Sequence, residues 1–142
     1  MENEFLPYEQ SLDLKKLDFN EPCFGYYDGN YNWQCMYNGK PEKFSERRMG
    51  VSNSAWVGWV SAPLYQQAFR FFREKYELLN HITAHLNPFG EDNALEESYG
   101  YRIIVNKDGW KCELLEKHSL YDTYEEAQIQ CLKKLIEIVK KV

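Results

Sequence analysis

His81 and His85 stand four residues apart, an interval that places two imidazoles on one side of a helix or strand, as metal ligation requires. No H-E-x-x-H pattern accompanies them and no third ligand stands close in sequence, so the expectation is a pair of ordinary histidines and no metal. His118 could activate a cysteine as a nucleophile. Cys23, Cys35, Cys112 and Cys131, however, all fall at apolar-phase positions, where a thiol acts as a small buried hydrophobe. The acids Glu91, Asp92, Glu96 and Glu97 sit in a polar segment without the D-x-D-x-D-G framework of a calcium loop, and they read as solvated charge. Neither G-x-G-x-x-G nor G-x-x-x-x-G-K occurs, which leaves Gly29, Gly39 and Gly109 to turns. The residues thus assemble no catalytic constellation and call for no cofactor.

Binding chemistry is better represented. Tyr26, Tyr27, Tyr31, Trp33, Trp56 and Trp59 cluster in one stretch of chain, with Arg47 and Arg48 between them. Tyr, Trp and Arg dominate binding hot spots because each joins a large contact area to a polar handle. Tyr27, Tyr31, Trp33, Arg47, Arg48, Trp56 and Trp59 are therefore the candidate ligand- or partner-binding residues. The competing reading packs the strand-phase aromatics beneath helices as core. The leading functional expectation is a non-enzymatic accessory protein that works through protein binding or self-association. The alternative is a binder, sequestering protein or enzyme for a small anionic ligand such as a nucleotide, with Arg47 and Arg48 taking the charge and a tryptophan stacking on the ring.

The totals narrow the field. A chain of 142 residues, 44% hydrophobic, fits one α+β domain spanning residues 1–142. Its formal charge of -5 disfavours nucleic acid and anionic membranes as partners, since both demand a basic footprint. No apolar run approaches the roughly 18 residues of a membrane span, and the Met-Glu-Asn-Glu start has no leader character. Four scattered cysteines without a C-x-x-C pair suit a reducing cytoplasm.

Three helices and several hairpins must position these residues. Pro7 suits the first turn of a helix reaching Leu17. Residues 23–27 read as a strand, Asp28-Gly29-Asn30 as its turn, and 31–37 as the return. Residues 40–61 read mainly as loop, with a strand at 56–60. A second helix is expected from Ser61-Ala62-Pro63 to about Leu78, then a strand or irregular stretch at 81–86 and a loop at 87–97. Tyr101, Ile103 and Val105 alternate into a hairpin whose return strand carries Trp110, Cys112 and Leu114. The clearest element comes last: Thr123 and Glu126 form a T-x-x-E capping box, followed by an apolar stripe of Tyr124, Ala127, Cys131, Leu132, Leu135, Ile138, Val139 and Val142. Such stripes predict an antiparallel sheet built from hairpins, with about three helices mainly on one face.

Several blocks carry a resemblance. Leu14-Lys15-Lys16-Leu17-Asp18-Phe19 leads to Glu21-Pro22-Cys23-Phe24-Gly25-Tyr26-Tyr27; Ala62-Pro63 precedes Gln67-Ala68-Phe69-Arg70-Phe71-Phe72-Arg73-Glu74-Lys75-Tyr76; Tyr124-Glu125-Glu126-Ala127 precedes Cys131-Leu132-Lys133-Lys134-Leu135-Ile136-Glu137-Ile138-Val139. In these blocks the chain resembles a group of small uncharacterised proteins encoded by phages, prophages and mobile elements of the Bacteroidetes. The resemblance implies an origin but no activity and no catalytic residue. The order helix, three strands, helix in the second half is also similar to a double-stranded RNA-binding domain. That domain places basic side chains at the start of its last helix, where this chain has Tyr124, Glu125 and Glu126.

Overall fold

The computed structural model describes residues 2–35, 59–88, 96–107 and 111–141. Arg47, Arg48, Trp56 and Trp110, and nearly all of the expected loop at 40–61, lie outside them. Two compact units emerge, residues 1–68 and 69–142. The α+β class is observed, and the described strands form two antiparallel sheets of three.

In the first unit, helix α1 (Tyr8–Lys16) begins behind Pro7, whose missing N–H is no loss at a helix start. Strands β1 (Gly25–Tyr27), β2 (Trp33–Cys35) and β3 (Val60–Ala62) pair in the order β2-β1-β3. Asp28 builds the β1–β2 turn: its Oδ1 accepts from the Asn30 amide at 2.8 Å and the Asn32 amide at 3.0 Å. The Asn32 bond is the main cause that holds this carboxyl below its ordinary range. Ala62 was expected to open a helix. Instead it pairs with Gly25, and Pro63 follows the strand. Phe5, Tyr27, Val60 and Ala62 form the core cluster, with Tyr8, Leu12, Trp33 and Leu64 packed against it. The Leu6 carbonyl ties the unit together, accepting from Tyr27 Oη at 2.8 Å and Ser11 Oγ at 3.2 Å.

Helix α2 (Tyr65–Tyr76) crosses the boundary between the units. At its start the Gln67 side chain accepts from the Leu64 amide at 3.0 Å and donates to the Pro22 carbonyl at 2.9 Å. Beyond it, the second unit is a meander of long strands, β4 (Leu78–Asn87), β5 (Glu96–Lys107) and β6 (Lys111–Tyr121), closed by helix α3 (Tyr124–Lys140). The strand at 81–86 is thus regular and longer than expected, as is the hairpin that follows. The alternation of Tyr101, Ile103 and Val105 holds: Tyr101 and Ile103 are buried, on the face that packs against α3. At Gly100 the register slips, and a Cβ there would stand 2.0 Å from the Lys117 carbonyl oxygen, so only glycine fits.

Helix α3 starts as its sequence specifies. Thr123 Oγ1 accepts from the Glu126 amide at 3.1 Å, while Glu126 reaches one residue further back than a capping box requires, to the Asp122 amide at 3.3 Å. Its buried face is Ala127, Cys131, Leu132, Leu135 and Ile136. Of the expected stripe, Tyr124 is 46% exposed and meets Tyr99 edge-on, and Ile138 and Val139 are only half-buried, while Ile136, which was not in it, is buried.

Candidate binding surfaces

The aromatic hairpin is mostly internal. Tyr27 is buried, its hydroxyl donating to Leu6, so it holds the fold and offers nothing to a partner. Trp33 is half-buried and packs on Phe5 with ring centroids 5.1 Å apart. Its indole nitrogen lies 2.8 Å from where a Gly25 Cβ would stand, which explains why the strand carries glycine there, and this N–H is buried without an acceptor. Trp59 is half-buried and stacks on Tyr26 at 4.6 Å, while Lys15 Nζ donates to its carbonyl at 2.9 Å. Of the described candidates only Tyr31 is well exposed, at 66%; it sits at φ 66 in the turn with its ring edge-on to Tyr8. Arg47, Arg48 and Trp56 lie outside the described residues.

The cysteines divide. Burial pushes the Cys131 thiol up to about 12, and burial together with the Glu21 carboxylate does the same to Cys23. Cys35 is exposed, against the expectation from its phase, because Trp33 two residues earlier already fills the space over Gly25. Cys112 lies in β6, but its side chain is outside the described set.

The second unit offers a surface that the sequence reading passed over. In the register of β4, β5 and β6, the face opposite α3 carries Leu79, Ile104 and Leu114 as one row and His81, Arg102 and Glu116 as the next. Leu79 is 47% exposed, Leu114 52% and Leu120, in phase further along β6, 62%. Arg102 Nε meets Glu116 Oε1 at 2.7 Å, and the other oxygen of Glu116 meets His118 Nε2 at 2.5 Å. His85 packs edge-on to His118 with centroids 5.6 Å apart, and Thr83 Oγ1 lies 3.2 Å from His85 Nε2. All three histidines of the chain are on this one face. The signal that could have found it is the pairing of Leu78 with Leu79 and Ile103 with Ile104, which puts apolar side chains on both faces of the sheet.

No protein family, curated protein or solved structure matches this chain. Its function has to be read from the surfaces alone. Among the described residues no three of His, Cys, Asp and Glu are arranged to hold a metal ion, and no helix is long and apolar enough to cross a membrane. A cleft of about 760 Å³ at one end of β4 and β5 is lined by His85, Leu86, Asn87, Glu96, Glu97, Ser98 and Asp122. Its three carboxylates and open form give it neither a base paired with a nucleophile nor an anion cradle.

Proposed function

We propose that this is a non-enzymatic binding protein, and that its contact surface is the α3-free face of the β4-β5-β6 sheet. The observation that carries the reading is the row Leu79, Ile104 and Leu114: a solvated strand face ordinarily alternates to polar residues, and three aliphatic side chains in register cost solvation unless something covers them. The neighbouring Arg102–Glu116–His118 array supplies polar groups that fix orientation. An enzyme is disfavoured by the chemistry present, since the cleft that gathers His85, Glu96, Glu97 and Asp122 pairs no base with a nucleophile. Phosphate binding at the start of α3 is opposed by Glu125 and Glu126. In this reading the protein is an accessory factor, in keeping with its resemblance to proteins of phages and mobile elements.

The test compares immobilised wild type with two variants, Leu79→Glu/Leu114→Glu and Trp59→Ala, in retention of proteins from host lysate and of the protein itself. Retention lost with the leucine variant and kept with Trp59→Ala supports the face. Loss only with Trp59→Ala returns the contact to the aromatic stack, and equal profiles for all three remove the reading.

A further inference from the structure

We infer that His85 and His118 form a binding site for a borderline transition-metal ion, Zn²⁺, Ni²⁺ or Cu²⁺, held by their two Nδ1 atoms with water in its remaining positions. The site goes beyond the contact reading and does not depend on it, because both ligands belong to one chain.

Distance chooses between the histidines. Each residue of a strand rises ~3.3 Å, so His81 and His85 on β4 stand about 13 Å apart and cannot share one ion. Strand pairing brings a different pair together: the rings of His85 on β4 and His118 on β6 have centres 5.6 Å apart and planes at 83°. With metal–nitrogen bonds of about 2.0–2.1 Å and about 1.1 Å from nitrogen to ring centre, two imidazoles on a tetrahedral ion have centres roughly 5 Å apart. The rings of this pair already stand near that spacing, and a small side-chain adjustment completes it.

The outer hydrogen bonds determine which ring nitrogens are left to ligate. Glu116 Oε2 meets His118 Nε2 at 2.5 Å, and an ionised carboxylate only accepts, so this nitrogen keeps the proton and the lone pair of the neutral ring is on Nδ1. Thr83 Oγ1 lies 3.2 Å from His85 Nε2 and, accepting there, leaves the same atom of His85 to ligate. Metal-bound imidazoles ordinarily give their second N–H to a carboxylate, a carbonyl or water, and that arrangement is what orients them. Glu116 is itself fixed, meeting Arg102 Nε at 2.7 Å.

The backbone at His118 is irregular as well. Tyr101 pairs with Lys117 and Tyr99 with Tyr121, so β6 carries more residues than β5 over this stretch, and His118 opens the excess. Irregularities of this kind re-aim side chains beside functional sites. Charge favours a cation: His85 borders the cleft that holds Glu96, Glu97 and Asp122, and the whole chain carries -5. Among the described residues no third His, Cys, Asp or Glu joins the pair, so the ion binds reversibly, with Cu²⁺ ahead of Zn²⁺ and Ni²⁺, and the oxygen-seeking Mg²⁺ and Ca²⁺ excluded.

Calorimetric titration of the full chain with Zn²⁺ and, separately, Ni²⁺ at about pH 7.5, where imidazole is neutral, tests the inference. The wild type should bind one equivalent of either ion in the presence of excess Mg²⁺. His85→Gln and His118→Gln should each weaken binding about tenfold or more, and Glu116→Gln, which removes only the support of His118, about tenfold. His81→Gln and Cys35→Ser should bind as the wild type does. Unchanged melting profiles without metal certify that the variants fold. In the wild type itself, substoichiometric Ni²⁺ should broaden the ring signals of His85 and His118 in proton NMR before those of His81, a readout that needs no variant. A wild type that binds neither ion, binding that survives both histidine substitutions or falls equally with His81→Gln, or binding unmoved by Glu116→Gln overturns the inference.

Discussion

The two units handle their apolar residues in opposite ways. In the first, strands of three residues are sealed by aromatic rings: Phe5, Tyr8, Tyr27 and Trp33 fill the space around α1 and leave few of the described large apolar side chains outside. In the second, strands of 10 to 12 residues have a helix on one face and aliphatic side chains on the other, and Leu79, Leu86, Leu114, Leu120 and Tyr124 account for most of the exposed large hydrophobics. The lesson concerns where to look for contact. A dense aromatic segment suggests a binding surface by composition, but a small unit needs large rings to build any core at all, since short strands bury little area per residue. Long strands bring more side chains than one helix can cover.

The sharpest test of this contrast lies within the second sheet itself. Ile103→Ala, on the face under α3, should cost about 2–5 kcal/mol in chemical denaturation, because it empties a fully buried site. Leu114→Ala, on the other face, should change stability by no more than about 0.5 kcal/mol. Equal losses at the two positions would mean that both faces are core, and the distinction between the units would disappear.

Thiol chemistry reads burial in both units, through Cys23 and Cys35 in the first and Cys131 in the second. In a Cys112→Ser background, an aromatic disulfide reagent should modify Cys35 promptly in the native protein. Cys23 and Cys131 should react only as the protein unfolds, being buried and pushed up to about 12. Rapid native labelling of Cys23 would show that the aromatic unit is not sealed.

The smallest effect concerns the β1–β2 turn. The Asp28 carboxyl is held below its unfolded value, so its contribution to folding is present above the ordinary carboxylate pKa of about 3.9 and fades as pH falls through the lowered native value. Amide exchange at Asn30 and Asn32 should therefore stay slow until the solution is more acid than an ordinary carboxylate needs. In Asp28→Ser that acid limb should be missing; its persistence would assign it to another group.

What was legible in the sequence was local. The cap of α3 is written in Thr123 and Glu126, four residues apart counting both ends, and the first hairpin in Asp28-Gly29-Asn30, because each depends on bonds within a few residues. Division of the strands into two sheets was not legible: β1 pairs with β3 across more than thirty residues, and nothing in either strand names its partner. The same limit hid the candidate surface. His81 and His85 were visible as a pair, but His118 meets His85 only because β4 and β6 both pair with β5. Reading β4 was harder because Leu78 and Leu79 point to opposite faces, so the period of two that marks a half-buried strand is blurred.

Glu77 links α2 to β4 by itself, at φ 55, with its carboxylate accepting from Asn106 Nδ2 at 3.3 Å. A connection of one residue leaves no slack for insertion. One extra amino acid after Glu77 would exchange Leu78 with Leu79 between the two sides of the sheet, turning the histidines of β4 toward α3. Homologous chains that vary in length should therefore do so elsewhere, and this junction should be among the least tolerant of insertion in the molecule.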